Sequence, residues 1–464
     1  MAKTKIKVAR TIEKAKAGLA SEVNLSSEFK ETVSELLDVV ITLSNRLNLN
    51  SGNSSKPPSQ DLNRSKKSRI AKGKKRKPGG QPGHKGSCLK QAENPTEVED
   101  IFVDRRSLPR GNYESAGFES RQVFDLEISM TVTEYRAEIL RNSRGVEFIA
   151  DFPDGVTESA QYGNAIRATS VYMSQSQLIP QDRVRSYFND QLGLSVSKGS
   201  IGNWNLLAYK KLIDFEAWAK SYLINSLVNN VDETGINVNG QRLWLHCVSN
   251  EKVTLFHPDA ARGQEAMDRM GILPVFKGIL VHDHWKAYFN YACEHALCNA
   301  HHIRELQKAI EDDDSKWAKA MQDLLKEINI AVHNAGGVLS SEEAKKFRKK
   351  YARVIDMGEA ECPTNLETRA QSKTRNLLDR LKLFEVETLR FMEDKNVPFT
   401  NNQGENDLRM TKVQQKISGC FRSMEGAQIF CRVRSYLQTC RKHGVNPTEA
   451  LKLLFAGEKP SFMT

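Results

Sequence analysis

The chain has 464 residues, 39% hydrophobic and 27% charged, the balance of an ordinary folded protein with room for several compact units rather than one core. Its formal net charge is +11, from 68 Lys and Arg against 57 Asp and Glu. This composition excludes a disordered chain, and the longest apolar stretch, Gly271 to Val281, contains Lys277 and is too short to cross a bilayer.

Residues 1–50 read as helix. Phe29, Val33, Leu36, Val40, Leu43 and Leu47 recur at alternating spacings of four and three, an a/d seam that buries only against another helix, in a coiled-coil dimer or in a hairpin within the chain. Residues 51–91 are a linker whose Pro and Gly prevent helix and ladder formation. Eleven cations and no acid stand between Arg64 and Lys90, with Lys74, Lys75, Arg76 and Lys77 adjacent to one another. Outside that block 57 cations face 57 acids, so the whole excess charge sits there. Such a block cannot enter a core. It is solvated or bound to a polyanion, and nucleic acid is the favoured partner because phosphate contacts release counterions.

Residues 92–159 read as a small β-unit. Gln122 to Leu140 is rich in Val, Ile, Thr, Phe and Tyr, and Arg144-Gly145 marks a turn before Val146 to Ile149. No two of the eight cysteines are spaced C-x-x-C, so no zinc ribbon or redox motif is visible, and no signal pattern opens the chain. Free thiols in the cytoplasm are expected. Residues 160–226 return to helical periodicity: a helix from about Asp182 to Gln191, a break at Leu192-Gly193-Leu194, and a second helix capped by Ser197 and running through Trp204 and Leu212. That outline belongs to DNA-reading helix-turn-helix units and also to ordinary helical hairpins.

From residue 227 the pattern changes. Leu227 to Asp232 reads as a strand ending on an acid, Gly235 and Asn239-Gly240 as turns, and Leu243 to Val248 and Val253 to Phe256 as two further strands of an antiparallel meander. A helix over Arg262 to Met270 leads to Phe276 to Asp283, another strand ending on an acid. Strand, helix, strand implies a parallel crossover that brings Asp232 and Asp283 to one rim of a mixed sheet. Two carboxylates so close repel unless a cation sits between them. Glu405, on a helix capped near Asn401 or Asn402, supplies a third candidate ligand and shares a face with Arg409 and Lys412. Oxygen donors suit Mg²⁺, and two ions can activate an attacking water or hydroxyl and stabilise the leaving oxygen of a phosphodiester.

Here the motifs resemble a known family. Val231-Asp-Glu-Thr-Gly235, Val281-His-Asp-His-Trp-Lys-Ala-Tyr288, Cys298-Asn-Ala-His301, Asn401-Asn-Gln-Gly-Glu-Asn-Asp-Leu-Arg409, Lys416-Ile-Ser-Gly-Cys-Phe-Arg-Ser423 and the arm Lys77-Pro-Gly-Gly-Gln-Pro-Gly-His84 are similar, in order, to the insertion-sequence-66 transposases. The resemblance implies a bacterial, nucleoid-associated DDE transposase. Its fold class would be α/β multidomain, with an RNase H-like mixed-sheet core over 227–302 and 400–464 and a helical insertion over 303–399. It implies a catalytic and metal-binding triad of Asp232, Asp283 and Glu405 with two Mg²⁺ or Mn²⁺ ions. Arg409, Lys412 and the arm cations Lys74, Lys75, Arg76 and Lys77 would contact DNA. The expected partners are double-stranded element ends and target DNA, a second copy or higher assembly, and accessory transposition proteins. Family members carry two cysteine pairs in the β-unit; this chain has none between Cys88 and Cys247, so zinc is not expected. The alternative is a transposase-derived DNA-binding protein without cleavage activity; a plain RNase H-type nuclease is a third reading.

Several neighbours also have plainer readings. Glu233 is turned by strand alternation away from Asp232. Cys298 and His301 are expected in a structural role near the core, and His282 and His284 in packing or beside phosphate. Phe421-Arg422-Ser423 is either a packed turn or a DNA contact.

Overall fold

The computed structural model describes residues 89–364 and 371–463, together with Ser26, Phe29, Thr32, Val33, Glu35 and Leu36. Phe29, Thr32, Val33, Glu35 and Leu36 are helical; the rest of the heptad seam and the cations Lys74, Lys75, Arg76 and Lys77 lie outside the described residues.

Between residues 92 and 155 the only ladder among the described residues joins two short strands, β1 (Ile139–Arg141) and β2 (Glu147–Ile149), antiparallel with Leu140 opposite Phe148. The predicted strand run over Gln122 to Leu140 is therefore extended chain until Ile139. Its side chains meet no second layer: Val123 is 92% exposed. A two-stranded hairpin cannot recruit further strands without a face to pack on.

The helical segment follows the sequence closely. After α1 (Asn164–Val171), α2 (Gln181–Leu192) ends on Gly193 in the left-handed region, and Ser197 caps α3 (Lys198–Lys211) by accepting from Ser200 N at 2.9 Å. With α4 (Ile213–Ile224) these helices bury Val184, Phe188, Ile201, Ala208, Phe215 and Leu223 in one core against the sheet.

That sheet has five strands: β3 (Val228–Val238), β4 (Gln241–Ser249), β5 (Thr254–Asp259), β6 (Ile279–His282) and β7 (Glu294–Leu297). Their order is β5-β4-β3-β6-β7, with the first three antiparallel and β6 and β7 parallel to β3. The crossover from β5 to β6 carries α5 (Gln264–Met270). One expectation is corrected. β3 does not end at Asp232 but continues through Gly235, because Ile236 and Val238 bury on the same face as Asp232 beside Leu245 and Phe421. The turn falls at Asn239-Gly240, whose φ values of 49° and 83° fit a tight two-residue hairpin.

The predicted insertion is helical among its described residues: α6 (Asn299–Asp313), α7 (Lys316–Asn334), α8 (Ser341–Glu361), α9 (Lys373–Leu383) and α10 (Glu385–Leu389). Trp317, Met321, Leu325, Tyr351 and Leu378 form its core, which reaches the sheet at Val281 and Ala296. The chain then returns along the sheet as α11 (Asn402–Ser418), α12 (Met424–Lys442) and α13 (Pro447–Ala456). α12 covers the edge strand β5: Thr254 N donates to Thr439 Oγ1 at 3.1 Å and Phe256 N to Ser435 Oγ at 2.9 Å. Edge N–H groups that would otherwise template aggregation are thereby satisfied.

A buried ion pair joins α11 to α12. Lys442 Nζ lies 2.9 Å from Asp407 Oδ2, with side chains 14% and 10% exposed, and Thr254 Oγ1 donates to the same carboxylate oxygen. Removing one partner strands a charge in the core, so Lys442→Met is expected to cost about 3 kcal/mol of unfolding free energy. Urea denaturation checks this, with the double variant Asp407→Leu/Lys442→Met recovering part of the loss. No helix among the described residues is long and apolar enough to cross a membrane.

Candidate active site

Backbone register brings the two aspartates level. β3 and β6 pair in parallel with Val228 opposite Ile279 and Asn230 opposite Val281. Carried two residues further, that register sets Asp232 beside Asp283, just past the end of β6, with both side chains on one face. Each carboxylate accepts a local backbone N–H: Asp232 Oδ1 from Glu233 at 2.8 Å and Asp283 Oδ1 from Trp285 at 3.1 Å. The next residue, His284, holds a left-handed φ of 76°, a conformation that costs energy outside glycine and recurs at functional sites.

Glu405 arrives from the far end of the chain because α11 is fastened along β3. Asn401 is fully buried, and its side chain makes no capping bond to the helix it precedes. Nδ2 donates to the Val231 carbonyl at 2.7 Å, and Oδ1 accepts from Asn230 Nδ2 at 2.8 Å. Its backbone N–H donates to Cys298 Sγ at 3.1 Å. At Gly404 a Cβ would lie 3.4 Å from Asp232 Cβ, so the first turn of α11 rests directly on the aspartate. Farther along, Lys412 Nζ and Gln415 Nε2 both donate to the Gly235 carbonyl, at 2.8 and 3.1 Å. Glu405, the residue after Gly404 in that first turn, is thus held near enough to Asp232 for its charge to act on that carboxyl. Burial first, then the charges of Glu233, Asp283 and Glu405, push the Asp232 carboxyl up to about 8. All three acids are half-buried and reachable from solvent.

The structure separates these acids from two others nearby. Glu233 points to the opposite face, where its 3% exposed side chain pairs with Arg262 at 2.6 Å and accepts from Tyr288 Oη at 2.7 Å. The Arg262 guanidinium lies over the rings of Trp244 and Trp285, at 4.7 and 4.6 Å from their centroids. Asp407 is committed to Lys442.

The remaining sequence candidates sort as follows. Arg409 is exposed on α11, and Lys412 engages Gly235. His282 is buried among Tyr288, Phe289 and His295, and His284 packs on Phe289 and Phe384. Phe421 is a packed turn residue: its N–H donates to the Asn237 carbonyl, its ring meets Phe430, and Ser423 caps α12. Three residues have a larger part than expected. Asn401 looked like an ordinary helix cap, and nothing in its spacing revealed the bond to β3. Cys298 and His301 stand beside Glu405: Sγ, an imidazole nitrogen and a carboxylate oxygen lie within 4.8 Å of one another.

Could the donor set hold divalent ions? Asp232 and Asp283 lie level across β3 and the end of β6, Glu405 acts on Asp232 by its charge, and Glu405 Oε1 is buried with no hydrogen-bond partner among the described residues. Oxygen donors with an unsatisfied atom turned inward fit a hard cation.

Fold and site together define a mixed α/β protein with a carboxylate cluster at the rim of a five-stranded sheet. Residues 159–429, more than half of the chain, match the model of the transposase IS66 family, and the chain belongs to that family. Residues 6–90 match a family of unknown function, DUF6444. A relative described as uncharacterized protein y4jO, from Sinorhizobium fredii (strain NBRC 101917 / NGR234), is 29% identical over 154 residues, which span 33% of this chain and 45% of that protein.

Proposed function

We propose that this protein cuts DNA at insertion-sequence ends and joins the freed ends to target DNA, with Asp232, Asp283 and Glu405 as its catalytic acids. The observation that carries this reading is that strand register sets Asp232 level with Asp283 while the Asn401 fastening lays Gly404, the residue before Glu405, against Asp232. The sheet order β5-β4-β3-β6-β7, with its antiparallel half followed by parallel strands, supports an RNase H-like core.

Asp232, Asp283 and Glu405 would hold two Mg²⁺ or Mn²⁺ ions. Bound there, the ions supply Lewis acidity to the phosphoryl oxygens and stabilise charge on the attacking and leaving oxygens. The chain's own part is positional. β3 and the end of β6 present two carboxylates in register, and α11 brings the third. In the first step water attacks phosphorus and the 3′-oxygen leaves with a proton. In the second, that 3′-hydroxyl attacks a target phosphodiester and expels another 3′-oxygen, conserving the number of ester bonds. Arg409 on the exposed side of α11 and Lys412, exchanging the Gly235 carbonyl for a phosphate, would grip the backbone, and Lys74, Lys75, Arg76 and Lys77 would track it. Two element ends must be paired, which calls for a dimer or larger assembly.

The test is Mg²⁺-dependent nicking and joining of element-end duplexes. Asp283→Ala is expected to lower nicking by at least ~10³-fold while leaving end binding intact. Nicking at the normal rate by that variant would overturn the assignment. Nicking without joined products from the unmodified chain would reduce it to a nuclease.

A further inference from the structure

His301 sits on the first turn of α6 with its Nδ1 3.8 Å from Glu405 Oε1. Both atoms are buried, and neither has a hydrogen-bond partner among the described residues. Two complementary polar atoms facing each other unpaired is an uncommon state, and each costs free energy if left so. The separation itself is informative. It is too long for a direct hydrogen bond, which needs roughly 2.7–3.2 Å. It is short for a bridging water, whose two bonds of ~2.8 Å at a tetrahedral angle hold their partners ~4.6 Å apart. A cation ~2.1 Å from each donor at an octahedral angle would draw them to ~3.0 Å, a closure of under ~1 Å that small side-chain rotations supply.

Cys298 forms the third corner but is otherwise employed. Its Sγ accepts from Asn401 N at 3.1 Å. It holds the fastening of α11. The charges that act on His301 come from Arg304, Asp283, Glu405 and Glu305.

We infer that His301 Nδ1 is a ligand of the cation held by Glu405, giving a mixed nitrogen–oxygen site that takes Mn²⁺ in preference to Mg²⁺. The inference rests on the metal-holding role proposed for the acids and adds a ligand to it. Imidazole is a borderline donor: it strengthens binding of transition ions far more than of Mg²⁺, which prefers oxygen and water. An imidazole from α6 would also tie the metal site to the insertion that begins on that helix, a link carboxylates alone do not make.

The test is pulsed electron paramagnetic resonance on the full-length protein loaded with Mn²⁺. The unmodified chain should show ¹⁴N modulation from a coordinated imidazole. His301→Ala should lose it, and its Mn²⁺ affinity should fall ~10–100-fold with a smaller change for Mg²⁺. His301→Asp, which restores an oxygen donor if the alanine variant folds poorly, should bind Mn²⁺ without ¹⁴N modulation and shift preference towards Mg²⁺. Mn²⁺ bound in the unmodified chain with no ¹⁴N modulation would overturn the inference and leave the three acids as ligands. So would ¹⁴N modulation that persists in His301→Ala, which would point to another histidine. If Glu405→Gln binds Mn²⁺ as tightly as the unmodified chain, the inference and the metal-holding role of Glu405 fall together.

Discussion

Asn401→Ala is expected to slow strand cleavage by about 100-fold and to lower the unfolding free energy by about 3 kcal/mol. The side chain is fully buried and bonds Asn230 and the Val231 carbonyl, the two residues before Asp232. Truncation leaves an amide donor and a carbonyl acceptor unpaired in the core, each costing roughly 1–3 kcal/mol. It also frees the start of α11, whose Gly404 rests on Asp232. Glu405 would then sample positions away from the aspartates, and displacements of ~1 Å at such sites cost ~10²-fold. Urea denaturation and single-turnover cleavage measure the two effects separately, with unchanged DNA affinity as the control. A variant that is less stable yet cleaves at the normal rate would show that α11 is placed by Lys412, Gln415 and packing alone.

The second large effect runs in opposite directions for activity and stability. Asp232→Asn should abolish cleavage, yet stabilise the chain in the absence of divalent ions. The Asp232 carboxyl is pushed up to about 8 by burial and by Glu233, Asp283 and Glu405. A folded value above the unfolded one means that its contribution to stability is complete below about pH 4, declines as pH rises, and is gone above about pH 8. Asparagine carries no charge to desolvate, so its advantage over wild type should be small near pH 5 and largest above pH 8. There it should reach about 2 kcal/mol after allowance for solvent screening, or a rise in Tm of about 4 °C. Adding Mg²⁺ should raise the wild-type Tm and leave the variant's almost unmoved, because only the ionised carboxylate set gains from the cation. A variant less stable than wild type at pH 8 would show that Asp232 is accommodated by the fold rather than tolerated for function.

Much of this was written locally. Ser197 as a cap, the break at Gly193 and the meander over β3 to β5 follow from short-range rules, since caps, turns and apolar alternation act over a few residues, whereas the helical insertion was implied by the family resemblance. The acids at 232, 283 and 405 were legible as strand-end and helix-start carboxylates, and the ordered motifs carried the family resemblance. The course of β3 past Asp232 was not, because its continuation depends on Ile236 and Val238 finding Leu245 and Phe421 across the sheet. Nor did the apolar residues of Gln122 to Leu140 signal that no second layer would cover them.

Sequence alone therefore determined which side chains are present, which residues are caps and turns, and which face of its own element each acid takes. Tertiary structure decided what each of those acids packs against. It paired Glu233 with Arg262, consigned Asp407 to Lys442, and set Gly404, the residue before Glu405, on Asp232 beside a buried asparagine. The physical reason is range. Alternation and capping fix a residue's orientation within its own element. A hydrogen bond between Asn401 and Val231, separated by 170 positions along the chain, exists only once both elements have packed.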